Sequence, residues 1–260
     1  MNISARIMLI ALALKYDGDW QKIYQGISQK EDISEEEVAA AASSQAITIL
    51  DDEFPVCLKQ SHQPPFVLFY KGDIGLLQQD YSKRLAVVGS RKLLSYTEYD
   101  IKRILKPLIE KYDIVSGLAL GSDTYGHEAA LENNGKTIAV LGNGVDVCYP
   151  ACNKELTDRI LAQGGLLLSE YPPKVGPKPE HFPMRNRIIV GLCKKVLVIE
   201  MREHSGTSIA VAIAVNAGKD VYILPVTIAG TLVIDQIYNN KLIAEGANIY
   251  SGPEDLEDLR

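Results

Sequence analysis

The sequence predicts an α/β fold, a parallel sheet with helices on both faces, preceded by a small helical domain. Three observations predict it. From Arg84 onward, short apolar runs alternate with longer amphipathic segments. Those runs are continuously apolar, as expected of strands buried on both faces. Ahead of them, residues 1–46 read as short helices.

Taken in chain order, the helical domain spans 1–46. Within "EDISEEEVAAAAS", Ser34 is placed to cap a helix, and Glu37 three residues on completes a capping box. Residues 47–83 surround one apolar run, "PFVLFY", with clustered prolines, and read as a linker with room for one edge strand. Residues 84–260 then carry the runs "RLAVVGS", "YDIVSGL", "KTIAVLG", "GGLLLSE", "KVLVIE" and "DVYILPV". This β-α rhythm makes the domain an extended Rossmann-like sheet. No internal repeat or low-complexity tract interrupts it.

Composition narrows the function. The chain has 260 residues and a net charge of −6, so it does not grip polyanions with its whole surface, and any anion site is local. No run approaches the roughly 20 apolar residues that span a bilayer. The apolar stretch in "MNISARIMLIALALKYDGDW" is short for a signal peptide, which predicts a cytoplasmic protein without membrane contact. Cys57, Cys148, Cys152 and Cys193 have no CxxC or zinc spacing and read as reduced structural thiols.

Gly89-Ser90-Arg91, Ser116-Gly117 and Gly142-Asn143-Gly144 each close an apolar run. In an open parallel sheet such ends share one rim, where glycine lets backbone amides approach a phosphate. A single glycine after a strand is an ordinary turn residue; three, joined by the guanidinium of Arg91, favour an anion site. Lys92 adjoins it. No GxGxxG follows the first run and no GxxxxGK[ST] is present, so neither a dinucleotide nor a P-loop nucleotide is expected, and no cofactor is. Lys174 to Lys195 is the densest basic region, with Glu180 as its one acid. Pro183 suits a helix start there, which would put Arg185, Asn186 and Arg187 in the first turn. Tyr171, His181 and Phe182 beside it could stack on bases. The competing reading is a solvated charged face.

The runs "FPVCLKQSHQPPFVLFYKGD", "LAVVGSRK", "IVSGLALGSDTYGHEAAL", "GKTIAVLGNGVDVCYPACNKEL", "LLLSEYPP" and "HFPMRNRIIVGLCKKVLVIE" resemble, in order, the DNA-processing protein A family, also called Smf. The resemblance covers roughly residues 50–225. It implies an extended Rossmann core that binds single-stranded DNA, forms a homodimer and helps load the recombinase RecA during uptake of transforming DNA. By position it implicates Arg91, Arg185 and Arg187. The chain departs from the family at 121–127, where the loop is altered though Asp123 and His127 stay. Ala151 follows Tyr149-Pro150 where a basic residue is common, which leaves Lys154 as its substitute, and Pro225-Val226 replaces a Pro-Gly. Tyr149 itself reads as a packing residue that holds the turn.

Two other classes compete. A phosphoribohydrolase of the same superfamily is faintly suggested by Ser205-Gly206-Thr207, and would pair Asp123 or Glu200 with His127 as acid and base. Against it, Asp123 reads as a helix cap and His127 as a packed helix residue. A nucleotide sensor without turnover would use the glycine rim alone.

Overall fold

The computed structural model describes residues 4–225, 227–228, 231–232 and 238–257. Three helices open the chain: α1 (Ala5–Lys15), α2 (Trp20–Ser28) and α3 (Glu35–Ala42). The Ser34 hydroxyl accepts from the Glu37 amide while the Glu37 carboxylate accepts from the Ser34 amide, so α3 begins with the expected capping box. Strand β1 (Ala46–Thr48), the single-turn α4 (Val56–Lys59) and β2 (Val67–Gly72) follow.

From Arg84 the β-α alternation is as read: β3 (Arg84–Val88), α5 (Ser95–Ile109), β4 (Asp113–Ser116), α6 (Ser122–Glu132), β5 (Thr137–Leu141), α7 (Lys154–Ala162), β6 (Leu166–Ser169), α8 (His181–Gly191), β7 (Lys195–Val198), α9 (Gly206–Asn216) and β8 (Asp220–Ile223). A two-residue pair, β9 (Thr227–Ile228) and β10 (Thr231–Leu232), then precedes α10 (Tyr238–Ala244) and β11 (Asn248–Ile249).

The main sheet has nine strands in the order β1-β2-β6-β5-β4-β3-β7-β8-β11. From β6 to β11 every pairing is parallel, whereas β2 runs antiparallel to both β1 and β6. The segment read as a linker, together with Ala46 before it, therefore does more than link: it adds two strands to the edge, and the sheet is mixed there. Side chains alternate across it. Leu85 and Val87 meet α5 and α6, while Ala86 and Val88 face α8 and α9. The first helices do not stand apart from the sheet, because Ile10, Leu12 and Ile23 share a core with Phe69, Leu141 and Leu167. Burying Ile10 or Leu12 stabilises the fold by about 1.5–3 kcal/mol each, enough to hold these helices in place.

Topology places a crevice. Successive strands β3, β4, β5 and β6 step outward in one direction, and the chain then crosses back to lay β7 on the other side of β3. The loops after β3 and β7 diverge at this reversal, and open α/β sheets bind ligands there.

Candidate functional site

The loops after β3 and β7 and the starts of α8 and α9 enclose a cavity of about 650 Å³. Val88, Ile189 and Ala210 give it an apolar floor, and Arg91, Arg185 and Arg202 bring positive charge. Nucleotide-sized ligands occupy sites of about 300–1,000 Å³. A smaller recess adjoins it, lined by Gly117, Gly142, Tyr149, Phe182, Arg91 and Arg185.

Of the expected residues, Gly89, Ser90, Arg91, Arg185 and Asn186 line the cavity, and Gly117 and Gly142 line the recess. Arg91 is exposed, and its guanidinium lies 5.4 Å from the centroid of the Phe182 ring. No ion pair to Arg91 or Arg202 forms among the described residues. Lys92 is exposed just outside, its amide bonded to the Ser90 hydroxyl.

The glycines have a reason other than phosphate approach. A Cβ on Gly117 would lie 2.0 Å from Nη1 of Arg185, and one on Gly144 would lie 2.1 Å from the carbonyl oxygen of Pro172. Their amides are spent within the protein: Gly117 donates to Asp123, Gly144 to the Val175 carbonyl and Ser90 to the Glu200 carbonyl. Ser116 is buried, donating its hydroxyl to the Val87 carbonyl. The rim glycines let loops and an arginine pack against the strand ends.

The two arginines of α8 diverge. Arg185, 5 % exposed, crosses beneath the cavity and donates Nη1 to the carbonyls of Gly117 and Val140, tying α8 to the ends of β4 and β5. Arg187 is turned away from the rim. Its Nη2 donates to both carboxylate oxygens of Glu170, at 2.6 and 2.7 Å, while Nε and Nη1 are buried without acceptors. Positions two apart on a helix face different sides, so one arginine reaches the cavity and the other the core. The turn between α1 and α2 seals this pair: Gly18, at φ +75°, packs on the Glu170 carbonyl, and a Cβ there would lie 2.6 Å from it. Lys154 also lies off the cavity, paired with Asp158 on the surface of α7.

Of the aromatics near the basic region, Tyr171 and His181 stack on each other at 3.7 Å and are buried. His181 Nδ1 lies 3.0 Å from the Gly142 carbonyl oxygen. Phe182 and Tyr149 are the accessible pair, with centroids 5.6 Å apart and Tyr149 43 % exposed. Tyr149 thus faces both cavity and recess rather than serving only as packing. Arg202, His204 and Thr207 complete the wall on the β7 side.

The groups of an acid-base reading are committed elsewhere. Asp123 accepts from the Gly117 and Ala119 amides, so it caps the preceding loop rather than its own helix. Burial pushes its carboxyl up, opposed by the Arg185 charge. Glu200 accepts from the Leu94 amide and the Thr97 hydroxyl, which closes the N-terminus of α5. His127 is fully buried, with Nδ1 2.7 Å from the Thr137 hydroxyl. Burial and the Arg185 charge push it down to about 3, so it is neutral at pH 7 and lines neither space. Among the described residues, no group of three or more His, Cys, Asp or Glu is placed to hold a metal, and the four cysteines are free thiols.

A family model for DNA recombination-mediator protein A matches residues 45–259. The DNA processing protein DprA of Streptococcus pneumoniae is 43 % identical over 211 residues, 81 % of this chain and 72 % of that protein. An X-ray structure of Streptococcus pneumoniae DprA aligns with a TM-score of 0.77 at 36 % identity, covering 98 % of this chain and 93 % of that one. A DNA processing protein A structure from Helicobacter pylori, described for its single-stranded DNA binding mode, aligns at 0.68 and 26 % identity, covering 82 % and 94 % of the two chains.

Proposed function

The chain belongs to the DNA recombination-mediator protein A family, and on that premise we propose that it binds single-stranded DNA without sequence preference in the cavity between β3 and β7. In this reading it protects the strand and, as a cytoplasmic homodimer, helps load RecA during DNA uptake and recombination. Residues 84–260 carry the strand, and residues 1–83 support the sheet edge.

The observation that carries the reading is the cluster of Arg91, Phe182 and Tyr149 at the mouth of a cavity whose arginines outnumber its acids. Phosphates meet Arg91 and Arg202, while bases lie on the aromatic faces and on the apolar wall. Every base offers a π-face, so such contacts carry no sequence code. Stiff duplex cannot splay its bases onto them. The buried, neutral His127 weighs against the phosphoribohydrolase reading, which needs an acid-base pair at the cavity. No described helix is long and apolar enough to cross a membrane, which agrees with the cytoplasmic assignment without establishing it.

The test is an anisotropy titration of oligothymidylate and of duplex across a range of salt. With two or three cations on phosphates, log affinity should fall against log salt with a slope of about −1.4 to −2.1 per protomer. Absence of single-strand binding at low salt, or a preference for duplex, would refute the proposal.

A further inference from the structure

The cavity also holds unspent amides away from the glycine rim. At the start of α9 the Ser205 hydroxyl accepts from the Ser208 amide, and the Ser205 amide donates to the Ser208 hydroxyl. This box satisfies two donors and leaves the amides of Gly206 and Thr207 without acceptors among the described residues. Both residues line the cavity. Unbonded amides at a helix start attract anions, reinforced by the helix dipole.

A second observation is independent of the helix end. Thr207 is only 9 % exposed and lines the cavity, and among the described residues its hydroxyl has no hydrogen-bond partner. The residue is largely covered, but its oxygen is not among the buried, unsatisfied atoms, so it faces the cavity and is open to a ligand. Exposed Arg202 stands one turn before the helix on the same wall, with no ion pair among the described residues. Across the cavity, Asn186 donates to the Gly206 carbonyl at 3.1 Å, which fixes the helix start against α8.

From this we infer a second phosphate subsite, formed by the amides of Gly206 and Thr207, the Thr207 hydroxyl and Arg202, on the wall opposite Arg91. It deepens the reading of the cavity as a strand-binding site and rests on it in one respect: the phosphate belongs to a DNA strand. A free nucleoside monophosphate has the same chemistry, and the experiment separates the two sources. A strand crossing the cavity places one phosphate at Arg91 and another at α9.

Gly206→Pro deletes one of these amides with little disturbance. Proline is favoured at the first helical position, where its missing N–H has no intrahelical partner. Ser205, at φ −105° and ψ 167°, already has the extended backbone that precedes proline, and a Cβ at position 206 meets nothing within 4 Å. Arg202→Gln removes the charge at an exposed position and covers the case in which the proline variant fails to fold. Oligothymidylate affinity should fall about tenfold in Gly206→Pro, the usual weight of a hydrogen bond to a charged group, with an unchanged melting midpoint. Arg202→Gln should lose affinity and about 0.7 of the salt slope. Thymidine 5′-monophosphate should displace the strand from the parent and do so less well in either variant. If the parent binds the strand and both folded variants match it, the α9 subsite is wrong while the strand-binding function stands. If the parent binds only the monophosphate, and Gly206→Pro loses it, the subsite is right and the strand-binding function is wrong.

Discussion

Arg187→Ala separates a brace from a DNA contact. In the folded protein Arg187 is 7 % exposed and its one bonded nitrogen holds both oxygens of Glu170, itself 4 % exposed. Truncating the arginine strands a buried carboxylate, which typically costs about 3–5 kcal/mol. In a protein of this size each kcal/mol lowers the melting midpoint by about 2–4 °C, so the midpoint should drop by roughly 6–20 °C. Affinity of the folded fraction for oligothymidylate, measured well below that midpoint, should match the parent. Removing both charges, as in Arg187→Met with Glu170→Leu, should recover most of the loss, because Nε and Nη1 of Arg187 already lack acceptors and a buried pair in that state is no better than packed hydrocarbon. An unchanged midpoint together with weakened strand binding would refute the assignment and return Arg187 to the DNA.

Arg91→Ala, at an exposed position with no ion pair among the described residues, should move stability by no more than about 0.5 kcal/mol. It should also weaken strand binding and remove about 0.7 of the salt slope; a titration beside a melting scan checks both. Gly117→Ala would place a Cβ 2.0 Å from Arg185 Nη1, so the guanidinium must leave the carbonyls it holds; melting and strand affinity should both fall, and a parent-like titration would show that Arg185 does not shape the cavity. His127 is held neutral down to about pH 3 in the fold but takes a proton near pH 6.5 when unfolded. The unfolded state thus binds the extra proton between those values, so stability falls as pH falls through this window. From pH 7 to 5 the loss is about 2 kcal/mol. Denaturant unfolding of His127→Gln at both pH values should show a pH-dependent loss smaller by that amount, and equal losses would sink the argument.

Much of the fold was legible because its central strands are continuous apolar runs, which only a doubly covered sheet buries. The direction of β2 was not, since "FVLFY" reads the same in a parallel or an antiparallel edge. Arg91 could be found because the Gly-Ser-Arg turn puts it at a strand end. The burial of Arg187 was not legible, because proximity in sequence says nothing about which side of a helix a residue occupies, and the partner that buries it, Glu170, lies in another loop. Arg202, His204 and Thr207 give no motif of their own; their only signal was Ser205-Gly206-Thr207, whose value as a helix start emerges once the return of β7 beside β3 is known.

Arg185 ties α8 to β4 and β5 with bonds to main-chain carbonyls, so two walls of the cavity are set before any ligand arrives. On the proposed function, a strand entering it would meet a preformed receptor and have only its own ordering to meet from the contacts it makes. Capture would then be governed by encounter rather than by closure of the protein, with an expected association rate constant of about 10⁵–10⁷ M⁻¹s⁻¹, typical of docking without rearrangement. Differences among strands of various lengths would then appear in how long each stays bound, not in how quickly each is caught.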